Sequence, residues 1–137
     1  MDAIIKNVIV PLVLRLGLAA IFIFHGLEKV KADNDWGSNW MPNGIPAYQQ
    51  VLVAWGELLA GVAMFLGLLT RVAALGLTII MAGAIATVHG EKGFSLANGG
   101  FEYNFAIIVM CVAVMLLGGG VLAADRLFRF GVKNPTK

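Results

Sequence analysis

The chain has 137 residues, 59% hydrophobic and 13% charged, and carries a net charge of +2. A soluble domain holds roughly 45–50% apolar and about 25% charged residues, and one this small cannot hide the excess in a single core. A lipid solvent removes that problem. The basic residues are not clustered on a polar scaffold, which excludes nucleic acid as a partner, and the single cysteine, Cys111, excludes an intramolecular disulfide and any Cys/His metal spacing.

A membrane span needs about 20 mostly apolar residues to cross ~30 Å of hydrocarbon. The first such stretch runs from about Ile4 to Val30. Arg15 interrupts it, and its end, Phe24-His25-Gly26-Leu27-Glu28-Lys29, lacks a small-x-small cleavage pattern. It is expected to be a retained helix rather than a signal peptide. Residues 31–45 are polar and rich in Gly, Asn and Asp, with Pro42 and then Pro46, which is loop chemistry. Pro46 suits the first position of a second span that runs to about Leu69. The joint Gly67-Leu68-Leu69-Thr70-Arg71 is so short that the flanking helices must be antiparallel neighbours, and Thr70 is the expected N-cap. The third span covers about Arg71 to His89, and residues 90–100 form the next loop. The fourth covers about Phe101 to Ala124, with Gly118-Gly119-Gly120 marking a helix end or break.

Lys6, Arg71, Arg126, Arg129, Lys133 and Lys137 fall on one side of this arrangement; Lys29, Lys31 and Lys92 fall on the other. The positive-inside rule then places both termini in the cytoplasm. The tail basic residues Arg126, Arg129 and Lys133 suit an anionic inner leaflet, and Trp36 and Trp40 suit anchors at the outer interface. The expected fold is all-α: a single domain over residues 1–137 forming a membrane-embedded four-helix transmembrane bundle, N-in and C-in.

Charged residues within spans cost ~3 kcal/mol each at the centre of an isolated helix, so they face the bundle and pair. Arg15 lies about 22 Å and Glu57 about 16 Å below the outer helix ends, counting 1.5 Å per residue from Val30 and Pro46. A buried Arg15–Glu57 salt bridge is therefore expected, serving helix register or chemistry. A second group gathers toward the outer face: His25, Glu28 and Lys29 from the first span, His89 from the third, and Glu102, Tyr103 and Asn104 from the fourth. His25 and Lys29 share a helix face, and Arg15, Phe22, Gly26 and Lys29 form a vertical row in which Gly26 admits a close neighbour. Such a group could relay protons or hydrogen-bond a quinone headgroup. It has the residue types for a metal but no HExxH or comparable spacing, so no metal is assigned. Small residues at Gly17, Gly56, Ala60, Gly61, Gly76 and Gly83 read as helix-packing contacts.

In order along the chain, Arg15-Leu16-Gly17, His25-Gly26 with Lys29, Pro46, Glu57 with Gly61, and Leu66 through Ala74 at the short joint resemble the DoxX family of small four-helix bacterial membrane proteins. Gly100-Phe101-Glu102 and Gly118-Gly119-Gly120 through Asp125 continue the resemblance, which covers about Leu14 to Arg126. One departure is the ending, where family members often carry Gly-Pro-Gly and Ser-Leu-Asp against Gly-Gly-Gly and Ala-Ala-Asp here. The resemblance implies a multi-pass protein of the bacterial inner (cytoplasmic) membrane, associated with oxidoreductase complexes that handle quinols, thiosulfate or thiols.

Three functions follow as expectations: a quinone-linked subunit of a membrane oxidoreductase complex, a non-catalytic accessory or anchoring subunit, and an oligomeric transporter. Partners are the lipid bilayer and other subunits or further copies of the chain. No haem, flavin, nucleotide or CxxC motif appears, so any electrons would pass by a quinone or a partner's cofactor.

Overall fold

A computed structural model describes residues 2–32, 35–39 and 44–129. Among these residues all regular structure is helical. Trp40, Pro42, Lys133 and Lys137 lie outside the described residues, as does the side chain of Arg129.

Helix α1 (Val10–Lys31) follows a helical turn at Asp2–Ile4 and a widened π-turn at Ile5–Ile9. Pro11 sits in the first turn of α1 and has no N–H to give the carbonyl four residues back. That carbonyl, on Asn7, instead accepts the N–H of Val121 at 2.9 Å. The irregularity therefore ties the start of the chain to the segment after the last long helix.

Helix α2 (Ala47–Leu66) begins just after Pro46, whose carbonyl accepts the Gln49 and Gln50 N–H groups at 2.9 and 3.1 Å. It ends at Gly67, where φ is +69°. There Gly67 N–H donates to Met64 and Leu68 N–H to Ala63, a Schellman closure that requires a left-handed residue and therefore favours glycine. Helix α3 (Thr70–Ala84) continues through a π-turn at Ile85–His89 and a 3-10 turn at Gly90–Lys92. Helix α4 spans Glu102–Leu117, and a short helix α5 spans Asp125–Arg129.

Three helical segments are long and apolar enough to cross a membrane: Ile5–Lys31, Ala47–Leu66 and Thr70–Lys92. The fourth is shorter than expected. The helix stops at Leu117 because Gly118 turns at φ +76°, and residues 118–124 are irregular. Its 16 residues span about 24 Å at 1.5 Å per residue.

α1 packs mainly on α2, and α4 mainly on α3. The shared core is built from Leu18, Phe22, Met64, Leu77, Ile107 and Val114. On the outside, Leu52, Leu59, Val72 and Ile79 are each more than 60% exposed. An apolar belt of this kind is a liability in water and the ordinary surface of a protein in lipid.

Of the small residues, two bring backbones together. A Cβ on Gly26 would stand 2.6 Å from the Leu58 nitrogen, and one on Gly61 would stand 2.8 Å from the Ile23 nitrogen. Gly56 lies against the tip of Ile80 on α3, where a Cβ would stand 3.1 Å away, whereas Gly76 and Gly83 face open space and are not helix-packing contacts within this chain.

The start of α3 is capped from a distance. Thr70 is the first helical residue, not the N-cap, and its buried hydroxyl has no hydrogen-bond partner among the described residues. The Asp125 carboxylate instead accepts the N–H groups of Leu69 and Thr70 at 2.5 and 2.9 Å. Negative charge at a helix N-terminus is favourable twice over, through the orphan donors and the macrodipole. Leu69 itself is held at φ +47°, which few side chains adopt without such support.

These contacts set two expectations. Gly61→Val lowers the unfolding temperature in detergent, at a cost of about 1–3 kcal/mol from overpacking, whereas Gly83→Ala leaves it unchanged. Asp125→Ala costs about 1–2 kcal/mol through the lost cap, and Asp125→Asn recovers part of that loss. Thermal unfolding of purified protein measures both.

Candidate functional site

Arg15 is 1% exposed, yet it does not meet Glu57. Its Nε donates to the Met64 carbonyl at 2.9 Å, one terminal nitrogen to Phe65 at 2.9 Å and the other to Gly119 at 3.0 Å. The expected Arg15–Glu57 salt bridge is therefore not formed. The reason is register. Gly26 faces Leu58 and Gly61 faces Ile23, which puts Glu57 level with Leu27. Arg15 is then twelve positions away, about 18 Å at 1.5 Å per residue. The two helices do not begin at the same height, as the sequence estimate assumed. Arg15 belongs to the end of the bundle where α2 closes, and there it donates to carbonyls that lack their usual helical donor four residues on.

Glu57 is 2% exposed and pairs with Lys29 instead. The Lys29 ammonium lies 2.6 Å from both carboxylate oxygens and 4.6 Å from the centre of the Trp36 ring. A buried carboxylate beneath a cation, with an aromatic face above, forms a compact neutral unit. Lys29 reaches it because it sits on the vertical row Arg15–Phe22–Gly26–Lys29, which is the face α1 turns toward α2.

The pair borders a cavity of about 860 Å³ between the helices. That is ample for a ligand, since small-molecule pockets run from roughly 300 to 1,000 Å³. Its walls are mainly apolar, including Ile21, Phe22, Leu52, Ile80 and Ile107. Polar groups enter from every side: His25, Glu28 and Lys29 from α1, Glu57 from α2, His89 after α3, and Tyr103 and Asn104 from α4. Six of the seven residues expected at the outer face thus line one space.

The exception is Glu102. Its carboxylate turns away and accepts the Leu96 N–H at 3.0 Å, fixing the loop before α4. His25 and Glu28 stand at the rim, 3.7 Å apart and both exposed. The His89 Nδ1 lies 2.8 Å from the Gly99 carbonyl. A carbonyl only accepts, so Nδ1 carries a proton. Asn104 is 5% exposed, and its amide nitrogen is 3.4 Å from the Met81 sulfur.

Two residues of this site escaped the sequence reading. Trp36 is not simply an interfacial anchor: it lines the cavity, and its indole N–H donates to the Gln50 carbonyl at 3.1 Å. Gln50 is 3% exposed and holds the loop from both sides. Its Oε1 accepts the Gly37 N–H at 2.7 Å, and its Nε2 donates to the Ile45 carbonyl at 2.8 Å. A glutamine in the first turn of a span reads as interfacial, and nothing in its spacing marks it as the loop's anchor.

The geometry defines a helical membrane protein with a polar-ended, otherwise apolar cavity among its helices. The DoxX family model matches residues 10–90, and the chain belongs to that family. The chain is 30% identical over 123 residues to a Bacillus subtilis (strain 168) protein named "Putative oxidoreductase CatD", with 90% of each chain covered. It is 32% identical over 130 residues to an uncharacterized protein of Haemophilus influenzae, covering 86% of this chain and 82% of that one. No solved structure matches it.

Removing one partner of a buried ion pair strands the other, at about 3–5 kcal/mol, while replacing both is far milder. Lys29→Met and Glu57→Gln are therefore each expected to destabilise the protein strongly, and the double variant to regain most of the loss. Arg15→Glu with Glu57→Arg is expected to show no mutual rescue. Unfolding midpoints in one detergent decide both expectations.

Proposed function

We propose that this protein is a quinone-binding subunit of an oxidoreductase complex in the bacterial inner membrane. One observation carries the reading: an apolar cavity of about 860 Å³ whose polar end holds Lys29, Glu57, Tyr103 and Asn104. A lipid-soluble ring with oxygen substituents matches that division, with its body against the apolar walls and its oxygens at the polar end. The relative named as an oxidoreductase in Bacillus subtilis supports a redox setting. The chain supplies binding and orientation, and electrons come from a partner's cofactor.

In this reading α4 is a fourth crossing, laid antiparallel along α3, and both chain ends face the cytoplasm. Lys6, Arg71 and Arg126 at the end of the bundle where Arg15 sits support that orientation. Trp36 and the cavity then lie toward the outer face.

Photolabelling with an azido-quinone in native membranes tests the site. Label is expected on peptides of α1 and α4, with most of it removed by excess unlabelled quinone. Label spread evenly over lipid-facing peptides, and indifferent to competitor, would sink the proposal. Orientation is checked separately in a Cys111→Ala background. Cysteine introduced at Ser38 is expected to react with an impermeant maleimide from the outside, and cysteine at Arg126 only after lysis.

A further inference from the structure

The donors and acceptors at the polar end of the cavity are unequal. Glu57 is an acceptor only, and a carboxylate offers about four lone-pair sites. The Lys29 ammonium takes two of them. Lys29 in turn has little to give a ligand, because two of its three protons point at Glu57 and its remaining side faces Trp36.

Asn104 is the other unspent group. It is 95% buried by its 5% exposure, lines the cavity and lies in the first turn of α4. Among the described residues its amide nitrogen reaches only a thioether sulfur at 3.4 Å, a weak acceptor. A buried amide that makes so little of its hydrogen-bonding capacity is costly unless something else completes it. Tyr103, beside it, can both give and accept, so it does not discriminate between ligands.

A quinone carbonyl can only accept. It would accept a hydrogen bond from the Asn104 amide but face the lone pairs of Glu57 and of the Asn104 carbonyl. A hydroquinone hydroxyl accepts from the amide and also donates to one of those oxygens. We propose that the cavity selects the reduced, hydroxyl-bearing form of its ligand, with Asn104 as the residue that reads the headgroup. This rests on the quinone-binding reading above and adds a redox-state preference to it. A site built to hydrogen-bond a hydroxyl rejects the analogue that lacks it, because its own buried groups are then left unpaired.

The test is calorimetric titration of the full-length protein in detergent. The probes are a decyl-substituted benzoquinone and its hydroquinone, the latter under anaerobic conditions, with each oxidation state confirmed by absorbance. The hydroquinone is expected to bind about tenfold tighter or more, the equivalent of one hydrogen bond to an otherwise unsatisfied buried group. In Asn104→Leu, checked for an unchanged helical spectrum, that preference is expected to fall to within about twofold. Equal binding of the two forms, or tighter binding of the quinone, overturns the inference and leaves the quinone-binding reading standing. A preference that persists in Asn104→Leu overturns the role of Asn104. If neither form binds, the quinone-binding reading falls and takes this inference with it.

Discussion

A guanidinium in the interior of a membrane bundle must find acceptors for its protons, and Arg15 finds them in three main-chain carbonyls. Two belong to the last turn of α2, where carbonyls lack their usual donor four residues on and where the macrodipole favours a cation. The third, on Gly119, belongs to the irregular segment after α4. One side chain thus answers two separate desolvation problems and joins the first, second and last parts of the fold. The same end gathers further cross-links, from Val121 to Asn7 and from Asp125 to the start of α3. Glycine is required along this seam because the backbone passes so close: a Cβ on Gly67 would stand 2.5 Å from the Arg15 guanidinium, and one on Gly120 would stand 2.8 Å from Pro11.

Because the register sets Arg15 and Glu57 far apart, carbonyls serve Arg15 and Lys29 serves Glu57, and the bundle has charge at both ends of its α1–α2 seam rather than one pair at mid-depth. The Lys29–Glu57 unit is neutral as a whole but remains strongly dipolar in a medium of low dielectric constant. The loop that carries Trp36 closes over it, held by Gln50. The cavity acquires its polar end from this arrangement and its apolar walls from the helices around it.

Much of this was legible in the residues. Hydropathy marked four spans, of which three are long apolar helices and the fourth is a shorter one, and the five-residue joint at Gly67–Arg71 implied an antiparallel pair, which Gly67 closes through its left-handed turn. The vertical row from Arg15 to Lys29 identified the buried face of α1. What the sequence could not supply was axial register. Two helices joined by a long loop may slide past one another by whole turns without changing either hydropathy profile. Only the backbone contacts at Gly26 and Gly61 fix the offset. Once the register moves, the partner of each charge moves with it, which is why the right residues were identified and wrongly paired. The cap on α3 was hidden for a related reason: Asp125 is 55 residues from Thr70, beyond any local capping pattern. Glu102 failed differently, since a residue at a helix start can turn to its own loop as readily as to the interior.

The division of labour between the two ends has a physical consequence for the site. At the Arg15 end, the polar side chains that join the helices, Arg15 and Asp125, are bonded to main chain. At the Lys29 end, the contacts that border the cavity are side chain to side chain or side chain to loop, and α1 meets α4 far less than it meets α2. The clasp at the Arg15 end depends on two side chains, Arg15 and Asp125, neither of which borders the cavity. A bundle fastened in this way can vary the residues around its cavity, and so the chemistry it admits, without loosening the clasp that defines its fold. The fold is therefore anchored where Arg15 sits, and under the proposed function the ligand preference is set where Glu57 and Asn104 sit.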